Sequence, residues 1–171
     1  MSDLTEKTMA MLRFNHRLTK RISQGRDPGV GPGQSALQFG VGNCYAKLVF
    51  LVSEHDNEFI FLLERLLPKF DLEVSDVYVT PFYKFKGQSS SQNKTLLEKI
   101  FLKEMSIVEP HFIIVAGDID LTLSLDFPYG PLPQLMEIMK MERAPGYDKK
   151  DLIKKQKQVL KFIREIIDQY L

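Results

Sequence analysis

One cysteine, three histidines and a formal net charge of +1 over 171 residues exclude several classes of protein at the outset. With Cys44 alone, no disulfide framework forms within the chain, and no all-cysteine metal or iron–sulfur cluster can be held. Cys44 reads as a small core hydrophobe, since no His or Asn partner can be placed beside it from the sequence. A net charge of +1 produces no global field toward nucleic acid or membrane, so any basic surface must be local. No apolar run reaches the roughly 18 residues of a membrane span, and no apolar signal segment opens the chain. These absences together predict a reducing, cytoplasmic setting with no membrane partner. Nucleotide fingerprints are missing as well. No Walker lysine motif follows any strand-like segment, and Gly29-Val30-Gly31-Pro32-Gly33 precedes the first strand, the wrong order for a phosphate-cradling turn.

What is present is an alternation of helix-like and strand-like segments. Hydrophobic residues make up 44 % of the chain, enough for the core of one domain over residues 1–171. Residues 3–23 space Leu4, Met11, Leu12, Leu18 and Ile22 for one helical face. Residues 24–46 are broken by Gly, Pro, Ser and Gln into a loop. Lys47 to Val52 is a short apolar strand, Asn57 to Phe70 a helix, and Val77 to Thr80 a second strand. A polar loop over Gly87 to Gln92 precedes a helix from Lys94 to Val108, which Pro110 ends. His111 to Ala116 is a third strand, and Leu121 to Leu125 fits a short helix. Leu135 to Met141 fits either a fourth strand or a helix by periodicity, and Asp148 to Tyr170 is a long final helix.

Strands alternating with helices imply a parallel sheet covered on both faces. The expected fold is therefore a three-layer α/β/α domain with a central four-stranded, mostly parallel sheet, in which Leu48–Val52 lies between the other two clear strands. In such sheets ligands bind beyond the carboxyl ends of the strands. That rule nominates Ser53 to Asp56, Thr80 to Lys86, Gly117-Asp118, and Glu142 to Tyr147.

One stretch carries more than its secondary structure. From Asp76 to Phe85 an acidic residue leads into an alternating β-branched and aromatic strand, which stops at Thr80-Pro81 and opens into an aromatic–basic loop. Arg26, the Val30 to Gly33 run and Ala46 to Val52 approach the first strand, and Pro110 to Gly117 reads as proline, apolar strand, glycine. This order of motifs resembles the uracil-DNA glycosylase superfamily over about residues 12–165. The resemblance implies a glycosylase-like scaffold and DNA as a partner, single-stranded or damaged. It lies in the scaffold, while the chemical motifs depart from the family pattern. Around Phe14 to Ile22 there are none of the cysteines that hold the cluster in the iron–sulfur branch. The first motif reads Ser53-Glu54-His55-Asp56-Asn57; Glu54 fits the family's acidic position, and the loop bearing the base-stacking aromatic is missing. Where the family has Thr-Asn, this chain has Thr80-Pro81, and proline offers neither an amide side chain nor a backbone N–H to a base. The closest match to the final His-Pro motif is Arg143-Ala144-Pro145, and alanine cannot stabilise charge on a departing base.

Each candidate residue has a functional and a structural reading. Glu54 and His55 are the candidates for catalysis, as water-activating carboxylate and as acid or base. Asp56 fits an N-cap of the following helix, and His55 fits a polar surface residue. Thr80, Tyr83, Lys84, Lys86, Arg143 and Tyr147 are the candidates for nucleic-acid binding. Phe82 to Lys86 interleaves aromatics that could stack on bases with lysines that could meet phosphates; the structural alternative is a hydrophobic loop with two solvated lysines. The lysines of the final helix fit a solvated face or a phosphate contact. Gly117-Asp118-Ile119-Asp120 is similar to a metallophosphoesterase fragment, but that chemistry needs more ligands than His16, His55 and His111 supply, so Asp118 is read as starting a helix. No cofactor or metal is expected. Three functions follow: a non-catalytic DNA repair or replication accessory, an active glycosylase with a reorganised site, or a protein-interaction module without nucleic acid.

Overall fold

The computed structural model describes residues 3–23, 37–54, 56–84, 94–119, 121 and 125–171. The expected loop at 87–92, most of the 24–46 loop, and the centre of the short helix expected at Leu121 to Leu125 lie outside them. Five α-helices and five strands follow one another along the described residues. Helix α1 spans Asp3–Ser23, and strands β1 and β2 span Val41–Gly42 and Leu48–Val52. Helix α2 spans Asn57–Leu66 and tightens into a 3-10 turn at Leu67–Phe70, where Pro68 sits near its start. Then come β3 (Val77–Pro81), α3 (Lys94–Val108), β4 (Phe112–Val115) and β5 (Tyr129–Pro131). Helices α4 (Gln134–Arg143) and α5 (Lys149–Tyr170) complete the order.

The sheet has the order β1-β3-β2-β4-β5. Strands β3, β2, β4 and β5 are parallel, and Leu48–Val52 lies between Val77–Pro81 and Phe112–Val115, as the apolar runs predict. The two-residue β1 adds an antiparallel edge to β3 inside the stretch expected to be a loop, making the sheet five-stranded and mixed rather than four-stranded. Leu135 to Met141 is helical, within α4; the fourth parallel strand is the shorter Tyr129–Pro131. That strand carries two of its three residues' side-chain positions as Gly130 and Pro131, so it lacks the apolar signature that marks its neighbours.

Every residue of β2 is buried, and successive side chains go to opposite layers. Leu48, Phe50 and Val52 meet α2, α4 and α5 through Phe59, Leu63, Ile138 and Ile163. Val49 and Leu51 face the other layer, with Met11 of α1 and Leu97, Phe101 and Met105 of α3. Burial on both faces removes the period-two polarity and leaves a continuous apolar run. Each such side chain contributes about 1.5–3 kcal/mol. Helix α3 ends as Glu109 turns into the left-handed region (φ 53°) and returns its N–H to Met105, with Pro110 barring continuation. Lys7 pairs with Glu109 at 2.6 Å and donates to the Val108 carbonyl, which fixes the start of α1 to the end of α3. The two helices therefore run antiparallel over the sheet.

Candidate functional site

At the carboxyl edge of the sheet the ladder continues past the strands in backbone hydrogen bonds. Phe82 and Tyr83 donate to the Val52 and Ser53 carbonyls, Ala116 donates to Leu51, and Leu132 donates to Val115. At Gly117 the chain after β4 passes so close to Ser53 that an added Cβ would lie 2.3 Å from its Oγ and 2.8 Å from its backbone nitrogen. Glycine is required there by contact rather than by dihedral.

Behind that edge lies a buried polar network that the sequence reading did not assemble. Lys84 is 1 % exposed, and its Nζ donates to Glu104 Oε2 at 2.7 Å and to Thr80 Oγ1 at 2.9 Å. The Thr80 hydroxyl in turn donates to the Glu104 carboxylate at 2.9 Å, and the Tyr78 hydroxyl donates to Glu104 Oε1 at 2.8 Å. A carboxylate with an ammonium and two hydroxyls around it has its acceptor capacity met inside the core. Burial, and then the Glu104 charge, push the Tyr78 phenol well above its ordinary value.

The network corrects two expectations. Lys84 is neither a phosphate contact nor a solvated loop lysine in this structure, because its ammonium faces α3 from within. Thr80 is wholly buried and faces the same carboxylate rather than a base. The signal was in the sequence, as Glu104 and Glu98 interrupt the buried apolar face of α3, but the partners of Glu104 could be found only once β3 and α3 were packed together.

The other candidates are dispersed. Glu54 is half-buried at the end of β2, and Tyr83 is half-buried against Phe82, with ring centroids 5.3 Å apart. His55 and Lys86 lie outside the described residues. Asp56 is the N-cap of α2, accepting the Glu58 N–H at 2.9 Å, as expected. Its second oxygen accepts from Arg143 at 2.9 Å, and Arg143 also pairs with Glu58. These hydrogen bonds, to Asp56 first and Glu58 second, raise the Arg143 guanidinium above its ordinary value. Arg143 therefore answers the acidic start of α2. Tyr147 is exposed in the turn that follows. Glu142 to Tyr147 runs out of the last turn of α4, not from a strand; the segment that leaves the fourth parallel strand is Leu132-Pro133. Leu132 is buried there and, like Ala144, brings no hydrogen-bonding side chain. No helix begins at Asp118, where a bend is closed by the Ile119 N–H on the Gly117 carbonyl. No cluster of three or more His, Cys, Asp or Glu among the described residues is arranged to hold a metal ion. No helix among them is long and apolar enough to cross a membrane.

A different surface has the geometry of a binding site. Antiparallel packing of α1 on α3 leaves a groove of about 590 Å³. Its floor is apolar: Phe14 and Leu18 from α1, and Leu96, Ile100 and Ile107 from α3. Its rims are cationic on both sides, with Arg13, Arg17 and Arg21 from α1 and Lys99 and Lys103 from α3. No carboxylate among the described residues lines it. All five cations are exposed, and none forms an ion pair with another described residue. The spacing of four residues sets the arginines in a row with about 6 Å of axial rise between neighbours. That spacing is legible in the sequence; the facing lysines belong to a segment almost eighty residues away and join the row only through the fold. On the opposite layer, α5 presents Lys150, Lys154, Lys157 and Lys161 to solvent, while Lys155 turns inward and pairs with Glu137 at 2.5 Å.

The fold and these two regions define an α/β protein with a largely parallel sheet, a buried polar network behind its strand ends and a cationic groove on one helical layer. No protein-family model matches the chain, and no curated protein matches it.

Proposed function

We propose that this chain is a non-catalytic binding protein, on a scaffold akin to the uracil-DNA glycosylases, that holds a polyanionic partner in the groove between α1 and α3. The observation that carries this reading is the groove's charge: five exposed cations around an apolar floor, with no carboxylate among the described residues that line it. In a chain of net charge +1 this is a concentrated local field. Arg13 with Arg17, Arg17 with Arg21, and Lys99 with Lys103 are like-charge pairs four residues apart. Each such pair destabilises its helix by roughly 0.2–0.5 kcal/mol. An anionic partner converts that repulsion into binding energy and releases counterions.

The non-catalytic half of the reading rests on the strand ends. Thr80-Pro81 has no amide to read a base, neither Leu132 nor Ala144 can stabilise an anionic leaving group, and Lys84 is committed to Glu104. DNA, the partner that the resemblance implies, is one polyanion that fits such a groove.

The test is a titration of a single-stranded oligonucleotide and of poly-glutamate at low salt and at rising salt. At least one should bind, with an affinity that falls linearly on a log–log salt plot, and the triple variant R13A/R17A/R21A should lose that binding. The same protein should not excise uracil from DNA. Absence of binding to both polyanions at low salt refutes the binding reading; strong uracil turnover that Glu54→Gln abolishes refutes the non-catalytic one.

A further inference from the structure

We propose that the natural occupant of the α1–α3 groove is an acidic amphipathic helix of a partner protein; this inference rests on the polyanion reading above and narrows it. The distinction comes from how the charges are distributed. A single nucleic-acid strand is asymmetric in cross-section, with phosphates along one side and bases along the other. A site for it pairs one cationic edge with aromatic platforms. This groove has cations on both rims, Arg13, Arg17 and Arg21 facing Lys99 and Lys103 across the floor. Among the described lining residues Phe14 is the one aromatic; the rest of their apolar side chains are aliphatic. An amphipathic helix with a central apolar stripe and carboxylates on both flanks has the complementary cross-section. Its aliphatic anchors at i, i+3, i+4 and i+7 enter the floor, and acids at the flanking positions reach the two rims.

The dimensions agree. From Arg13 to Arg21 the axis of α1 advances about 12 Å, two helical turns, and Lys99 to Lys103 covers about 6 Å of the facing rim. A floor bounded by two antiparallel helices offers a third helix a seat in which its ridges can enter the groove between them. Arginine on the longer rim suits carboxylates because its planar fork binds them bidentately. The groove's volume of about 590 Å³ accommodates several aliphatic side chains, whereas a purely electrostatic contact would need no floor.

The test uses synthetic peptides of leucine, alanine and glutamate and the whole chain. One peptide places leucines at helical spacing with glutamates on both sides; the other has the same composition with the stripe scrambled. Fluorescence anisotropy should give the ordered peptide at least tenfold tighter binding than the scrambled one. Charge reversal at exposed positions, K99E/K103E, should weaken the ordered peptide at least tenfold while leaving the circular dichroism spectrum unchanged. The same variant should gain affinity for a leucine–lysine peptide of the same pattern. Ile100→Ser should erase the preference for order over scramble. Equal binding of both acidic peptides overturns the helix assignment and leaves the polyanion reading standing. An oligonucleotide that binds more tightly than either peptide, and is lost in R13A/R17A/R21A, overturns it in favour of nucleic acid. Failure of every polyanion to bind overturns both readings.

Discussion

Replacing Lys84 by methionine probes the interior of this protein directly. The ammonium is 1 % exposed and makes two hydrogen bonds, at 2.7 Å to Glu104 and 2.9 Å to Thr80. Methionine keeps the unbranched stem and its packing but removes the cation. Glu104, also 1 % exposed, then keeps only the hydroxyls of Tyr78 and Thr80 as partners. Removing one member of a buried ion pair costs about 3–5 kcal/mol, because the remaining charge is left uncompensated. Two surviving hydroxyl donors place the expected loss at the lower end, about 3 kcal/mol. For a chain of this length that lowers the melting temperature by about 6–12 °C. Urea unfolding of Lys84→Met, Glu104→Leu and the double variant gives the cycle. The double variant should be less destabilised than the sum of the singles by about 2–3 kcal/mol, since both charges leave together. Polyanion binding by folded Lys84→Met should keep its salt slope, since the ammonium never reaches the surface. A single-variant loss below about 0.5 kcal/mol, or a strictly additive cycle, would refute the buried network.

Two further outcomes follow from the same packing. Gly117→Ala should destabilise by about 1–3 kcal/mol, the usual cost of overpacking, because the new Cβ meets Ser53 backbone as well as its hydroxyl; Ser53→Ala should restore only part of the loss, as urea midpoints would show. The Tyr78 phenol titrates above its unfolded value of about 10, so its contribution is complete below that pH and is lost as pH rises beyond it, with a slope of up to about 1.4 kcal/mol per pH unit. Tyr78→Phe should flatten the alkaline limb of the stability profile, and an unchanged limb would contradict the burial of that hydroxyl.

The clear strands and long helices were legible because burial on both faces and amphipathic spacing leave local patterns. Leu48–Val52 is apolar throughout, and Lys94–Val108 is bounded by a polar stretch and Pro110. Tyr129–Pro131 was not legible: only Tyr129 favours a strand, Gly130 and Pro131 do not, and the three are held by the β4 ladder. Missing that strand shifted the expected fourth strand end to Glu142–Tyr147, when the chain leaves the sheet at Leu132-Pro133. The Asp56 cap was legible because it is local, within two residues of the N–H it accepts. Lys84 was misread for the opposite reason: its partner lies twenty residues away on another element, and an aromatic–basic run looks the same in sequence whether its lysine faces water or a buried glutamate. The cationic groove divides likewise, with the arginine row visible on α1 and its lysine counterpart supplied by tertiary packing.

Backbone amide chemical-shift mapping reads, residue by residue, where the partner binds. With the ordered acidic peptide titrated into labelled protein, shifts should concentrate on Arg13 to Arg21 and Leu96 to Lys103, the two walls of the groove. Shifts confined to Ser53, Glu54, Tyr83 and Gly117 at the carboxyl ends of the strands, with α1 and α3 unmoved, would contradict that placement.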